Sequence, residues 1–211
     1  LGGFVTFTLG SILTAAGCTI TKVIMAFSFA SALSLVVMAG AELFTGNNFV
    51  MAAASFKKEV SWLDTLKLWV VCYLGNFVVA LFQLGGVPKG ATGEYFATIA
   101  AGKMGGSASA LFFKGMLCNM LVCLAVWCCT KMKTESGKLI MIFWCIYIFM
   151  ACGFEHSIAN MSVMAVGLLN GAGVEGVSIA GYFHNLLWVT LGNIIGGSIF
   201  VALPYYLIQK K

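Results

Sequence analysis

Long apolar runs alternate with short polar segments along the whole chain. An α-helix needs about 20 apolar residues to cross a bilayer, and six runs approach or exceed that length. They lie at about 1–20, 23–44, 62–86, 107–130, 139–168 and 182–208. This pattern predicts six membrane-spanning helices, and the fifth run is too long to be one uninterrupted crossing.

Two of the runs are interrupted by polar residues and then resume too briefly to cross the membrane. The second run breaks in "GAELFTGNNFVMAAA" at 40–54, and the fifth breaks in "GFEHSIANMSVMAVGLL" at 153–169. Irregular backbone at membrane depth is tolerated only where protein or a wet cavity satisfies its hydrogen bonds. Both segments are therefore predicted to be broken helices inside the protein.

The two breaks occupy matching places in the chain. Each lies in the second helix of a set of three, and the third helix of each set carries the tripeptide LGN, at 74–76 and at 191–193. Because three is an odd number, the two sets must have opposite orientations. The sequence thus predicts an all-α integral membrane protein with one channel domain over 1–211, an inverted repeat of about 1–86 and about 107–211.

The composition excludes a soluble protein. Of the 211 residues, 61% are hydrophobic and 9% are charged, whereas a soluble domain carries roughly a quarter charged residues. An integral membrane protein is the class that fits. The net charge of +5 comes from twelve lysines and no arginine. In a membrane protein such charge reports topology, so we expect no nucleic-acid partner.

Many of the lysines fall on one side of the membrane if the six spans alternate in direction. That side carries Lys57, Lys58, Lys67, Lys131, Lys133, Lys138, Lys210 and Lys211. The lysine-rich side is usually cytoplasmic. The pattern predicts a multi-pass protein of the cell's inner (cytoplasmic) membrane with both termini inside and the loops 87–106 and 170–181 outside.

The eight cysteines give no sign of a metal site or a disulfide framework. Nearly all fall inside apolar runs, and their spacing matches no zinc motif. A metal or redox enzyme needs several converging ligands, which one histidine at a break does not supply. We therefore expect no metal, no cofactor and no enzymatic activity.

His156 is the first candidate for a pore residue, because ionisable groups inside a membrane are rare and usually functional. An ordinary histidine also titrates near neutral pH. The alternative is a structural histidine that holds the broken helix through hydrogen bonds. Thr45, at the other break, can cap the following half-helix or point into a pore opposite His156. Asn160 lies one helical turn beyond His156 and can share its face.

Glu42 and Glu155 lie at the two breaks. A carboxylate bare in lipid is too costly, so each is predicted to hold its break by accepting backbone N–H groups, with direct proton handling as the alternative. The half-helix after each break presents free N–H groups and partial positive charge, which favour a small anion. Lys103 is either an ordinary flanking lysine or a residue that attracts anions to an external mouth.

Four motifs, "AGAELFTGN", "FFKGMLCNMLVCLAVW", "GFEHSIANM" and "HNLLWVTLGNIIGG", together resemble the formate/nitrite transporter family. Stretches such as "ALFFKGMLCN" look closer to its nitrite and hydrosulfide branches than to the formate channels. The resemblance implies an aquaporin-like fold assembled as a homopentamer in membrane lipid, with one pore per protomer. It also implies conduction of small monovalent anions of weak acids: formate, nitrite or hydrosulfide.

The resemblance assigns the central histidine to His156, the loop threonine to Thr45, the following asparagine to Asn160 and the external lysine to Lys103. It implies an external constriction of Phe29 and Phe149 with Phe44. It implies a cytoplasmic constriction of Leu33, Leu43, Val122 and Asn193.

Two questions about transport stay open at this level. A proton shared between His156 and the anion would let a neutral acid cross the next apolar constriction; alternatively the anion crosses intact. A rival interpretation is an aquaporin-like channel for water or small neutral solutes. Neither break contains an Asn-Pro-Ala triplet, since the two prolines are Pro88 and Pro204, and this weakens the rival.

Overall fold

Helices form the whole regular structure of the residues that the computed structural model describes, 2–82, 88–171 and 173–209. In chain order the helices are α1 (Gly2–Ala15), α2 (Thr21–Ala39), α3 (Phe44–Phe56), α4 (Trp62–Phe82), α5 (Gly90–Met104), α6 (Ala108–Lys131), α7 (Glu135–Ala151), α8 (Ser157–Asn170), α9 (Ile179–Gly197) and, after a π-helical turn (Ser198–Ala202), α10 (Leu203–Gln209). The predicted start of the first span at 1, the end of the third at 86, Lys210 and Lys211 lie outside the described residues, as does residue 172 of the second external loop.

The surface of the protomer is apolar, as a bilayer requires. Large hydrophobic side chains such as Leu35, Phe27 and Val71 are about two-thirds exposed, which a soluble monomer would not tolerate in such number. Within the described parts of the chain, three helical stretches can cross a membrane by length and composition: α2, α6 and the continuous segment Ile179–Gln209. The predicted all-α membrane fold is confirmed.

Both predicted breaks are present, and the chain makes them in the same way. A glycine with φ of +68° follows the helix before each break: Gly40 directly after α2, and Gly153 two residues after the end of α7. Glycine adopts this left-handed conformation without the steric cost that other residues incur, and it commonly ends helices for that reason. Three residues later, Leu43 and His156 are extended, and the half-helices α3 and α8 begin.

The LGN asparagines secure the two breaks with equivalent hydrogen bonds. The backbone N–H of Phe44 donates to Asn76 Oδ1 at 3.1 Å, and the N–H of Ser157 donates to Asn193 Oδ1 at 3.0 Å. The amide of Asn76 donates to the carbonyl of Glu42, while Asn193 donates to the carbonyl at the matching position of the second break. The matching tripeptides therefore reflect a real structural repeat.

One contact joins the equivalent helices of the two repeats. Tyr73 and Thr190 each lie three residues before an LGN asparagine. Their hydroxyl oxygens are 3.0 Å apart. Equivalent residues that meet each other mark the pseudo-two-fold axis between α4 and α9, as an inverted repeat requires.

The segment 87–106 was predicted as an external loop, and the prediction of a loop was wrong for most of its length, because α5 occupies Gly90–Met104. This helix packs against α8. The buried side of α5 includes Phe96, Ala97, Ala100 and Met104. Their spacing is that of an amphipathic helix, but the overall hydrophobicity of the segment is low, so no helix was predicted there from the sequence. As a result, Lys103 stands in the last turn of a packed helix.

Helices α6 and α9 approach closely because α9 carries glycine at the contact. A Cβ added at Gly192 would lie 2.2 Å from the carbonyl oxygen of Phe112, and one at Gly196 would lie 2.2 Å from that of Met116. Small residues allow this kind of backbone contact between membrane helices. The glycine-rich end of α9 therefore serves as a packing surface for α6.

Candidate functional site

The two breaks meet at His156 and Thr45. Nε2 of His156 lies 3.0 Å from Oγ1 of Thr45. Both residues are buried, with His156 7% and Thr45 0% exposed. The N-cap residue of α3, Leu43, makes no side-chain capping bond, and the hydroxyl of Thr45 lies opposite His156. A role of Thr45 in a pore stays a prediction.

The imidazole of His156 is oriented by the half-helix that it begins. The backbone N–H of Ala159 donates to Nδ1 of His156 at 3.2 Å, so His156 is the N-cap of α8. A nitrogen that accepts a hydrogen bond carries no hydrogen. The neutral ring therefore has its proton on Nε2, which donates to Thr45, and a doubly protonated ring would lose the cap.

Two phenyl rings cover this histidine. The ring of Phe149 stacks on the imidazole, with centroids 6.0 Å apart and an interplanar angle of 19°. Phe29 meets the imidazole edge-on at 6.5 Å and meets Phe149 edge-on at 5.6 Å. One side of the hydrogen-bonding pair thus faces an apolar aromatic wall.

Most of the expected constriction residues lie together. Phe29, Leu33, Val122 and Phe149 belong to one buried cluster, and Leu43 packs against it. The other two lie apart from that cluster. The ring of Phe44 packs edge-on against Tyr73 with centroids 4.9 Å apart, and the side chain of Asn193 bonds to the backbone around the second break.

The carboxylate of Glu155 is held by side chains. The Lys103 ammonium donates to Oε2 of Glu155 at 2.8 Å, and the two side chains are only 16% and 10% exposed. Nδ2 of Asn160 donates to the same oxygen at 2.6 Å. The expected backbone donors are therefore replaced by an ammonium and an amide. Lys103 is thus paired at the break, which neither of the two alternatives considered from the sequence, a flanking lysine or an anion-attracting residue at an external mouth, had described.

Asn185 completes this network, and the sequence interpretation missed it. Its Oδ1 accepts from Asn160 at 2.9 Å, and its Nδ2 donates to the main-chain carbonyl of Lys103 at 2.8 Å. Asn185 is fully buried. The sequence does show that Asn185 is a polar residue in the apolar run of the last span, which could have marked it as a candidate. Its partners could not be predicted, because they lie far away in the chain.

Glu42 repeats part of this arrangement without a cation. Nδ2 of Asn47 donates to Oε2 of Glu42 at 2.6 Å, with the same five-residue spacing as Asn160 and Glu155. Glu42 is exposed on the protomer surface. Among the described residues, none of the ion pairs involves it.

A second pair of polar residues, also missed, lies next to Thr45. Asn48 of α3 and Asn119 of α6 are both fully buried. Nδ2 of Asn119 donates to Oδ1 of Asn48 at 3.1 Å and to the carbonyl of Asn193 at 2.7 Å. The site thus extends beyond His156 along α3.

The chemistry available at this site is hydrogen bonding between apolar walls. No group of three His, Cys, Asp or Glu side chains in the described parts of the chain could hold a metal ion. Two half-helix N-termini approach the same region, and their N–H groups favour anions. Paired broken helices that meet at buried polar groups are typical of membrane transporters and channels.

Comparison with known proteins gives the family. The model of the formate/nitrite transporter family matches residues 1–207, and the chain belongs to that family. The nitrite transporter NirC of Escherichia coli (strain K12) is 39% identical over 220 residues, covering 100% of this chain and 79% of that relative. The formate channel FocA of Haemophilus influenzae is 32% identical over 207 residues, covering 87% and 72%.

Solved structures agree with this assignment. An FNT family ion channel superposes with a TM-score of 0.87 at 35% identity, covering 99% of this chain and 84% of that one. A pentameric formate channel with formate bound gives a TM-score of 0.82 at 27% identity, covering 100% and 93%. The predicted family is confirmed, and with it the broad class of an anion channel or transporter.

Proposed function

We propose that this protein is a channel for small monovalent anions of weak acids, with His156 as the central hydrogen-bonding group. Hydrosulfide, nitrite and formate are the candidate substrates. The observation that carries the proposal is the contact of 3.0 Å between His156 Nε2 and Thr45 Oγ1. It joins the two breaks at the edge of a buried apolar cluster.

The apolar walls determine the form in which a substrate passes. A bare charge is too costly to bury among the residues around Phe29, Phe149 and Val122. A small acid that has taken up its proton is neutral and avoids that cost. When a molecule passes, the neutral imidazole of His156 turns its one Nε2 hydrogen from Thr45 to an acceptor atom of that molecule. We assign the external constriction to Phe29 and Phe149 and the cytoplasmic one to Leu33, Leu43 and Val122.

Anions are drawn to the pore mainly by the half-helix ends. The positive charge of Lys103 is offset by Glu155 at 2.8 Å, so this lysine holds the second break and adds little net attraction. Asn160 shares this role through the same carboxylate oxygen. The N-termini of α3 and α8 remain as sources of partial positive charge near the pore.

The remaining features follow the relatives. We propose a homopentamer, because one structural neighbour is a pentameric channel. We propose the inner membrane with both termini cytoplasmic, because the lysine-rich side of a membrane protein is usually cytoplasmic. The repeats comprise about 1–86 and 107–211. The similarity to nitrite transporters at 37–39% identity supports nitrite as a substrate, and the similarity to formate channels supports formate.

The test is transport by the purified protein in liposomes. Uptake of nitrite, formate and hydrosulfide is measured against chloride and glycerol. We expect the weak acids to enter faster than chloride and glycerol to be excluded. Glycerol entry without any weak-acid entry would contradict the proposal and favour the channel for neutral solutes.

A further inference from the structure

Two buried atoms beside Thr45 have no hydrogen-bond partner among the residues that the structure describes. They are Nδ2 of Asn48 and Oδ1 of Asn119, on side chains that are fully buried and in contact with each other. A buried polar atom without a partner costs about 1–3 kcal/mol. Such atoms in a native structure call for an explanation.

The chemistry of the surrounding atoms fixes which atoms are free. The Asn119 Nδ2 group donates to Asn48 Oδ1 at 3.1 Å and to the carbonyl of Asn193 at 2.7 Å. Rotating the Asn119 amide would bring its oxygen against that carbonyl, which cannot donate. The oxygen of Asn119 therefore points elsewhere, and Asn48 must present its own oxygen to Asn119. The free atoms are one N–H donor and one carbonyl acceptor.

The pair adjoins the pore residue on α3. Asn48 is three residues beyond Thr45 on the same helix, which puts their side chains on neighbouring parts of one face. The thiol of Cys123 donates to the Thr45 carbonyl at 3.4 Å. A Cβ at Gly197 would come within 2.8 Å of both Asn119 Nδ2 and Cys123 Sγ, so glycine leaves α9 free to pack on this group.

A ligand for this pair must both accept and donate. A bare formate or nitrite anion satisfies the Asn48 donor but has no hydrogen to donate to Asn119, whose oxygen repels it. A protonated weak acid has an acceptor atom and an acidic hydrogen, and it is neutral. None of the ion pairs of the described residues involves a residue of this group.

We propose that Asn48 and Asn119 form a second binding site for the permeating molecule, beyond the His156–Thr45 contact, which takes the protonated acid. The inference rests on the proposed channel function. Asn48 Nδ2 donates to the acceptor atom of the acid, and the acid donates its hydrogen to Asn119 Oδ1. Binding involves no covalent step, because the acid form exists in equilibrium with its anion.

Formate serves as the probe in the first test. The double variant Asn48→Leu with Asn119→Leu removes both polar groups at once, and replacing both partners by apolar groups of similar shape is often nearly neutral for stability. Asn170→Leu is the control, because Asn170 lies at the end of α8 and bonds only within that helix, to the Val166 carbonyl. All proteins are compared in liposomes after their assembly has been checked by size-exclusion chromatography.

We expect formate flux through the double variant to fall about tenfold, the effect of losing one to two hydrogen bonds, with the control unchanged. An assembled double variant within twofold of the wild type would overturn the second site. The channel proposal would still stand in that case, because the wild type would still carry formate. If the wild-type protein transported none of the weak acids, both the channel proposal and the second site would be contradicted.

A second measurement does not depend on the variant folding. Maps of the wild-type protein at high resolution, with and without formate, should differ between Asn48 Nδ2 and Asn119 Oδ1. Density for formate within hydrogen-bonding distance of both atoms supports the site. Two results would contradict the site. One is the same single-atom density in both maps, as expected for a bound water, and the other is no density in either map.

Discussion

Replacing Asn193 should destabilise the protein much more than replacing its repeat partner Asn76. The Asn193 side chain makes three hydrogen bonds to backbone: from Ser157 N–H at 3.0 Å, to the Gly115 carbonyl at 2.8 Å and to the Glu155 carbonyl at 3.2 Å. It is fully buried. Asn76 makes only two bonds to its break, at 3.1 and 3.4 Å, in less buried surroundings.

These contacts set the expected size of the effect. Each hydrogen bond contributes about 1 kcal/mol, and the buried N–H of Ser157 left without an acceptor adds about 1–3 kcal/mol. Asn193→Ala should therefore cost about 4–6 kcal/mol and Asn76→Ala about 2 kcal/mol. With about 2–4 °C per kcal/mol for a chain of this size, the Tm of Asn193→Ala should fall by about 8–24 °C.

The assay is thermal unfolding of the purified variants in one detergent, followed by circular dichroism. Both substitutions remove the same side chain from the same tripeptide, so helix propensity is matched between them. The refuting result is a Tm for Asn76→Ala as low as that for Asn193→Ala. Equal values would mean that the hydrogen bonds at the second break do not carry the stability assigned to them.

Three further predictions concern the helix contact, the ion pair and the histidine. Gly192→Ala should impair folding, because the added Cβ would lie 2.2 Å from the α6 backbone. Gly75→Ala should be tolerated, because the structure describes no atom within 4 Å of the added Cβ. Equal expression and equal Tm of the two variants would contradict this prediction. Lys103→Met should lower the free energy of unfolding by about 3–5 kcal/mol, because it leaves the buried carboxylate of Glu155 without a cation. Adding Glu155→Gln should restore most of the lost stability, measured as Tm. A double variant no more stable than Lys103→Met would contradict the argument from pairing. His156→Asn should slow transport, but the transport rate should keep its dependence on pH between about pH 5 and 8, because His156 acts as a neutral hydrogen-bond donor. If the rate of the variant in liposomes no longer depended on pH, proton exchange with His156 would be indicated instead.

The positions of the breaks were predictable because they depend on local composition. In both repeats the apolar run is interrupted by a glycine, a glutamate two residues later and an asparagine five residues after that glutamate. Such a segment cannot continue as a lipid-facing helix. His156 and Thr45 were found by the same reasoning, since each is a polar residue at one of the breaks.

The partners of those residues were harder to predict, because they come from distant parts of the chain. The sequence does not state that Lys103 reaches Glu155 or that Asn185 closes the network. Helix α5 was missed because the overall hydrophobicity of its segment is low, although the spacing of its buried apolar residues is helical. The ring of Phe44 was expected at the external constriction but packs on Tyr73, an orientation set by tertiary packing.

The most direct test of the account compares the two histidines of the chain. His184 lies on α9, where its Nε2 is 3.0 Å from the Gly106 carbonyl, away from the contact between the breaks. We predict that His156→Ala abolishes formate and nitrite flux in liposomes while the assembled His184→Ala protein retains it. Weak-acid flux through His156→Ala at the wild-type rate would contradict the assignment of His156 as the centre of the pore.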